Sequence, residues 1–404
     1  MPGGPGFVDA LRAAWDAGDA VLPLDPTAPA RHTAAVIEAL RPTAIVESDG
    51  ARRRLDGDPV EPGDALVVAT SGTTGAPKGA IHTHRGVEAA AFATAVAAGV
   101  TSDARWLACL PLFHVGGLSV VTRALLTGSG LEVIDRADPA AIDDAARRGG
   151  THVSLVPTVL TRIDPTPWHT ILLGGSAIPD DRPSNTIATY GMTETFGGVV
   201  YDGHRLPSVE VRILDPDAEG PGPDGKGPGP LHEVTTRQGS PRLARPGVVG
   251  PIELRTPTLC RGYRNGVAPV DAAGWYATGD LGALDAETGR LVVHGRGDDL
   301  IISGGEKVWP SDVEAVLGTD PGVAEVAVVG RPDPEWGQRV VAVVVPSDPS
   351  APPTLDRLRE LVRATLPVAA APKELELIDS LPRTGLGKIR RSVVATAAGS
   401  RNDG

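Results

Sequence analysis

The chain has 404 residues, a formal net charge of −12, and 41% hydrophobic, 22% charged and 3% aromatic residues. That length accommodates two or more domains around a large core of Ala, Val, Leu and Ile, and the acidic balance argues against a nucleic-acid-coating surface. No apolar run approaches the roughly 18 residues of a membrane span, the first residues lack the basic start and apolar block of a signal peptide, and two cysteines without a CxxC make no disulfide framework, so a cytoplasmic location is the default.

In chain order, residues 18–26 (GDAVLPLDP) read as a short strand ending in a Pro turn, 30–42 (ARHTAAVIEALRP) as a helix and 43–50 (TAIVESDG) as another strand. Such alternation predicts an α/β layer with parallel strands. A third strand, DALVVAT at 64–70, runs into the small-residue loop ATSGTTGAPKGA at 69–80, which carries one cation, Lys78. VEAAAFATAVAAGV at 87–100 is helical by its alanine content. RWLACLPL (105–112), LEVID (131–135), HVSLVP (152–157) and TILLGG (170–175) are further short apolar strands, and a doubly wound sheet is the economical reading. Cys109, in WLACLPLF, and Cys260, in TPTLCRGY, read as buried, inert thiols. Residues 214–247 are Pro/Gly-rich, a surface excursion.

From GRGDDLI (295–301) the texture changes to a compact α/β unit. In WPSDVEAVL, Ser311 is placed as an N-cap and Glu314 completes a capping box. VAEVAVVG and QRVVAVVVP read as strands, and TLDRLRELVRATL as a helix with Leu355, Leu358, Val362 and Leu366 on one face. The domain boundary falls near Asp298, giving a large domain over 1–297 and a small one over 298–404.

The loop at 69–80 fails the Walker A template, because Pro77 precedes Lys78 and Gly79 follows it. Its amides, hydroxyls and ammonium still suit phosphate oxygens. TSGTTGAPKG (70–79) is followed in fixed order by TYGMTET (189–195), GWYATGDLG (274–282), GRGDDLIISGGEKVWP (295–310) and PRTGLGKIRR (382–391). Together these resemble the adenylate-forming superfamily of acyl-CoA synthetases, adenylation domains and firefly-type luciferases, from about residue 18 to residue 392. The resemblance implies an α/β fold: a large lobe of stacked layers, shortened at its N-terminus, and a small mobile α+β C-terminal domain. It implies a small-molecule carboxylic acid joined to AMP from ATP with Mg²⁺, then passed to coenzyme A, with no nucleic acid and no membrane span involved; a homodimer is compatible with the sequence. A carboxylate is a poor electrophile repelled by triphosphate, so such a site works by positioning and charge neutralisation.

By the same resemblance, Thr70, Ser71, Gly72, Thr73, Thr74, Gly75 and Lys78 wrap the β- and γ-phosphates, and Tyr190 and Gly191 take the adenine. Thr193 contacts the α-phosphate, Glu194 holds Mg²⁺, and Asp280 and Arg296 approach the ribose. Lys388 bridges the attacking carboxylate and the α-phosphate. Rotation about Asp298 would then withdraw Lys388 and bring in Ser303 to Lys307, where Gly304 and Gly305 leave a narrow path for pantetheine; His114 matches a position near that path and the acyl pocket. Taken singly, Asp280 also reads as a turn cap, Lys388 as a solvated lysine, and Tyr190 and His114 as core residues.

A finer resemblance concerns the acid. LPLFHVGGLSVVTRALLTG, SLVPTVLTRI, YGMTETFGGVVYDG and AAPKELELIDSLPRTGLGKIRR are similar to stretches of the o-succinylbenzoate–CoA ligases. That substrate keeps a second carboxylate charged while the first is activated. Arg123, the lone cation in an apolar stretch, is the candidate receptor, with Ser119 and Thr158 as donors and Gly175 completing the set. The plainer reading sets Arg123 on a helix surface or beside an Asp. An acyl-CoA synthetase for another aryl or medium-chain acid, an adenylation enzyme loading a carrier protein, and a non-enzymatic nucleotide-binding scaffold remain the alternatives.

Overall fold

The computed structural model describes residues 4–47, 50–71, 77–176, 178, 181–216, 242–383 and 389–397. Gly72, Thr73, Thr74, Gly75 and Lys388 lie outside them, as does most of the Pro/Gly-rich excursion. The chain divides into two compact units, Met1–Arg212 with Glu253–Ala277, and Ile213–Ile252 with Thr278–Gly404. This division and a boundary at 297/298 cut the chain at different places.

The first unit is organised by a seven-stranded sheet with the spatial order His204–Arg205, Gly197–Tyr201, Thr186–Met192, Thr170–Leu173, His152–Leu155, Arg105–Ala108, Gly130–Val133. The five strands from Thr186–Met192 to Gly130–Val133 are parallel. Gly197–Tyr201 and His204–Arg205 extend it antiparallel. Side chains alternate across such strands. Leu107, Val153, Leu155, Ile171 and Leu173 meet Ile142 and Ala145 of helix Pro139–Arg147 on one face. Trp106 points the other way and meets Arg123 of helix Val115–Thr127. Helices on both faces make the layer doubly wound, as the apolar runs at 105–175 predict.

The earlier predicted strands behave differently. Residues 18–26 contribute a single pairing, Val21 with Leu66; Pro23 and Pro26 cannot donate to a ladder. Ala44–Val46 folds back antiparallel on Arg52–Arg54 rather than joining the parallel layer. Asp64–Ser71 pairs antiparallel with Pro77–Thr83, which in turn pairs with Gly262–Tyr263. This second sheet carries Lys78.

In the second unit, Val323–Asp333 and Gly337–Pro346 form a long antiparallel hairpin. Glu374–Leu377 adds in parallel, and Ile301–Ser303 with Glu306–Val308 lies on the same sheet. Val328, Val340, Ala342 and Val344 pack with Val313, Leu317, Leu358 and Val362 of helices Pro310–Leu317 and Leu355–Arg363. The opposite face holds Ala327, Val329, Val341, Val343, Leu381 and Val394. The predicted capping box is not formed. Pro310 takes the first helical position, where its missing N–H is no loss, and Trp309 becomes the cap residue without a side-chain bond. Ser311 donates instead to the His294 carbonyl at 3.1 Å. Glu314 accepts from the Val328 amide at 2.7 Å and pairs with Arg391. Among the described residues, no helix is long and apolar enough to cross a membrane.

Candidate active site

The TYGMTET segment is the end of strand Thr186–Met192 and the turn into Gly197–Tyr201. Buried Thr195 stitches that turn: its hydroxyl accepts from the Met192 amide at 3.0 Å and donates to the Gly197 carbonyl at 2.7 Å. The Phe196 amide donates to the Thr193 carbonyl at 3.0 Å. A Cβ at Gly191 would collide with the Gly197 carbonyl, so only glycine lets the two arms close. Thr195 and Phe196 are thereby locked inside, while Thr193 and Glu194 stay partly exposed.

Glu194 is held twice. Its carbonyl accepts from the Cys260 amide at 2.7 Å, and its Oε1 accepts from the Tyr263 hydroxyl at 2.8 Å. Tyr263 belongs to the short strand paired with Ala80 and Ile81, on the strand that carries Lys78. The Lys78 ammonium lies 5.8 Å from the centre of the Tyr263 ring. Lys78 and Glu194, named from separate motifs, therefore converge on one phenol that the sequence reading did not single out. Its only sequence signal is an aromatic residue in CRGYRNG, which means nothing until the strand pairing is known. Burial, then the neighbouring Tyr276 and Glu194, push the Tyr263 phenol far up, so it is a proton donor at neutral pH. Cys109 and Cys260 are both buried, and burial raises each thiol to about 12. Neither is a nucleophile under those conditions.

His114 caps helix Val115–Thr127 without a side-chain bond, and burial lowers its pKa. One turn on, Ser119 faces the turn: a Cβ built on Gly197 would sit 3.7 Å from its hydroxyl. Arg123, a further turn along, is 4% exposed. Its guanidinium lies 4.4 Å from the Trp106 ring centre. Its Nε and Nη1 have no acceptor among the described residues, and burial lowers its pKa. Neither the helix-surface reading nor the Asp-partner reading describes this arginine. Thr158 and Gly175 are exposed, both beside Val156: it precedes the short helix Pro157–Leu160, and its Cγ1 would lie 3.6 Å from a Cβ at Gly175. No hydrogen bond links these two to Ser119 or Arg123 among the described residues.

Tyr190, partly buried, pairs with Val200 across the hairpin. Thr70 and Ser71 end strand Asp64–Ser71. In the second unit, Asp280 and Arg296 face each other across a strand pair, with Arg296 Nη1 3.3 Å from Asp280 Oδ1 and 2.7 Å from the Thr278 carbonyl. Gly304 and Gly305 have φ of 62° and 84° at a hairpin tip, and a Cβ at Gly304 would press within 2.8 Å of the Trp336 ring. Asp298 is exposed in the turn Gly297–Asp299. No group of three or more His, Cys, Asp or Glu could hold a metal among the described residues. A Mg²⁺ carried in by nucleotide phosphates needs only one or two carboxylates, and Glu194 fits that mode.

His82 lies behind the same turn, fully buried, with its ring 5.0 Å from Phe196. Neither ring nitrogen makes a well-formed hydrogen bond, and burial lowers its pKa to about 4. Unfolded, the imidazole takes a proton below about pH 6.5. Its contribution is therefore complete above about pH 6.5 and is lost as pH falls towards 4, by roughly 3 kcal/mol at the lower limit. His114 and His152, also lowered by burial, act in the same sense. His82→Phe is expected to flatten part of the decline in Tm between pH 6.5 and 4, measured by calorimetry; an unchanged slope would contradict a buried neutral imidazole.

The AMP-binding enzyme family matches residues 47–264, and the AMP-binding enzyme C-terminal domain matches residues 312–388. "Probable 2-succinylbenzoate–CoA ligase" of Mycobacterium tuberculosis is 37% identical over 364 residues, 84% of this chain and 85% of that protein. Indoleacetate–CoA ligase of Aromatoleum aromaticum is 35% identical over 364 residues, 81% of this chain and 66% of that protein. The structure of o-succinylbenzoate CoA synthetase from Bacillus subtilis, in complex with its acyl-adenylate intermediate, superposes with a TM-score of 0.71 at 29% identity, covering 86% of this chain and 72% of that one.

Proposed function

We propose, on the premise that this chain belongs to the AMP-binding enzyme family, that it joins 2-succinylbenzoate to coenzyme A through an acyl-AMP intermediate. The succinyl carboxylate attacks the α-phosphorus of ATP and pyrophosphate leaves. The thiol of coenzyme A then attacks the acyl carbon, giving up its proton, and AMP leaves.

The observation that carries the choice of acid is Arg123, buried one turn beyond Ser119 without a counter-charge among the described residues. A guanidinium in that state is costly unless an anion joins it, and the ring carboxylate of 2-succinylbenzoate is such an anion. Ser119 adds a hydroxyl on the same helix face, and Thr158 and Gly175 line the acid's approach. His114, kept neutral by burial, borders the acyl group without adding a charge.

Lys78, with Thr70, Ser71 and the rest of the glycine-rich loop, receives the triphosphate. Tyr190 and Gly191 take the adenine, and Thr193 the α-phosphate. Glu194 would hold Mg²⁺, which when bound neutralises phosphate charge. Asp280 and Arg296 serve the ribose hydroxyls, and Lys388 bridges acid and α-phosphate. A small domain from 298 onward, hinged at Asp298, exchanges Lys388 for Gly304 and Gly305 between the half-reactions.

The likeness to indoleacetate–CoA ligase favours another aryl acid as the second reading. Mass spectrometry of a reaction holding ATP, Mg²⁺, coenzyme A and either acid separates them. The expected products are 2-succinylbenzoyl-CoA, AMP and pyrophosphate; turnover of indoleacetate with none of 2-succinylbenzoate would replace the first reading by the second.

A further inference from the structure

We infer that Tyr263 is a positioning residue of the adenylation step, its phenol fixing one oxygen of Glu194 and its ring steadying Lys78. The inference rests on the reading of the chain as an adenylating ligase and deepens it at the same site.

The segment around Tyr263 is anchored on every side. Cys260 donates to the Glu194 carbonyl at 2.7 Å, Arg261 to the Ile81 carbonyl at 2.9 Å and Arg264 to the Gly79 carbonyl at 2.9 Å, all through backbone amides. The Arg261 side chain forks onto buried Asp64 at 2.6 and 2.7 Å. The Arg264 side chain reaches the Leu40 carbonyl at 3.0 Å and the Asp58 carbonyl at 2.7 Å. Tyr263 therefore cannot drift, and it links the strand of Lys78 to the turn of Glu194. A carboxylate has two oxygens and, when ionised, only accepts. With Oε1 occupied by the phenol, Oε2 has no partner among the described residues. One face of the group is fixed and the other is left for a metal–nucleotide. The ammonium–ring separation of 5.8 Å is within cation–π range, so Lys78 is steadied, among the described residues, without a counter-ion that would compete with phosphate.

Tyr263→Phe removes the hydroxyl and keeps the ring. Acid-dependent ATP–pyrophosphate exchange is expected to fall about 10- to 100-fold, the loss typical of a hydrogen bond to a charged group. Thioester formation from pre-made acyl-AMP and coenzyme A should stay within about twofold, because that half-reaction needs no triphosphate. Calorimetric titration with Mn²⁺–ATP supplies a reading independent of turnover: affinity should weaken in Tyr263→Phe, and in a Glu194→Ala background the same change should add nothing. Equal loss in both half-reactions, unchanged Mn²⁺–ATP affinity, or additive effects in the double variant would each overturn the inference. If the unaltered protein exchanges pyrophosphate with no acid, the ligase reading fails, and the Mn²⁺–ATP titration still decides the role of Tyr263.

Discussion

Arg123→Leu is expected to make the protein more stable and a far poorer ligase for 2-succinylbenzoate. The guanidinium is buried between helix Val115–Thr127 and the strand of Trp106, with two nitrogens lacking acceptors among the described residues. Cation–π attraction to Trp106 returns only about 1–2 kcal/mol, well short of the several kcal/mol that burying an ion costs. Leucine has good helix propensity and carries no charge into a layer that Arg123 shares with Trp106, His152 and Tyr201. A gain of about 1–4 kcal/mol follows from comparable replacements of buried charge. At about 2–4 °C per kcal/mol, the melting temperature should rise by several degrees.

If Arg123 receives the ring carboxylate as proposed, loss of its charge leaves that group unmet. Truncating one partner of such a pair costs about 2–5 kcal/mol, equivalent to roughly a 30- to several-thousand-fold fall in kcat/KM. The KM for ATP should hardly move. An aryl acid of similar length without the ring carboxylate should be used as well as before or better, since selectivity is a difference between two acids. Steady-state kinetics with both acids and a thermal melt check this. Unchanged kinetics with 2-succinylbenzoate would remove Arg123 from the acid site.

Glu194→Gln is the second change with a large expected effect. The amide oxygen still accepts from Tyr263, whose hydroxyl lies 2.8 Å from Oε1, and the backbone bond to Cys260 is untouched. The turn should therefore keep its shape and the melting temperature should not change. What disappears is one negative charge, the property a hard cation requires. Loss of a single electrostatic group of this kind costs about 10²–10³ in rate. Pyrophosphate exchange measured over a range of Mg²⁺ concentrations should show that loss, with half-saturation shifted upward. Exchange within about threefold of the unaltered protein would mean that Glu194 does not hold the metal.

How much of this was legible in the sequence depended on the range of the interactions involved. The parallel strands between 105 and 175 were readable because burial on both faces writes itself as unbroken apolar runs. The two long strands of the second unit were readable for the same reason, though their pairing as a hairpin was not. The strand at 18–26 was not, because two prolines removed the donors that a ladder needs. Ala44–Val46 turned back on its neighbour instead of crossing over, and local pairing of that kind leaves the same residue pattern as a crossover strand. The capping box failed because Pro310 set the helix start, freeing Glu314 for Val328 and Arg391. Arg123 announced itself by being alone among apolar neighbours. Tyr263 did not, since its importance lies in a bond to a residue 69 positions away.

The closed turn between Gly191 and Gly197 has an evolutionary corollary. Its shape depends on the absence of a side chain at Gly191 and on the buried Thr195, so a substitution at either position is expected to open the turn. Ser119 and Arg123, by contrast, lie within helix Val115–Thr127, whose main-chain hydrogen bonds do not run through their side chains. Descendants of such a scaffold can therefore diversify in diet while inheriting an unchanged engine, and a chemist wishing to redirect the catalyst should randomise that helix face and leave the hairpin alone.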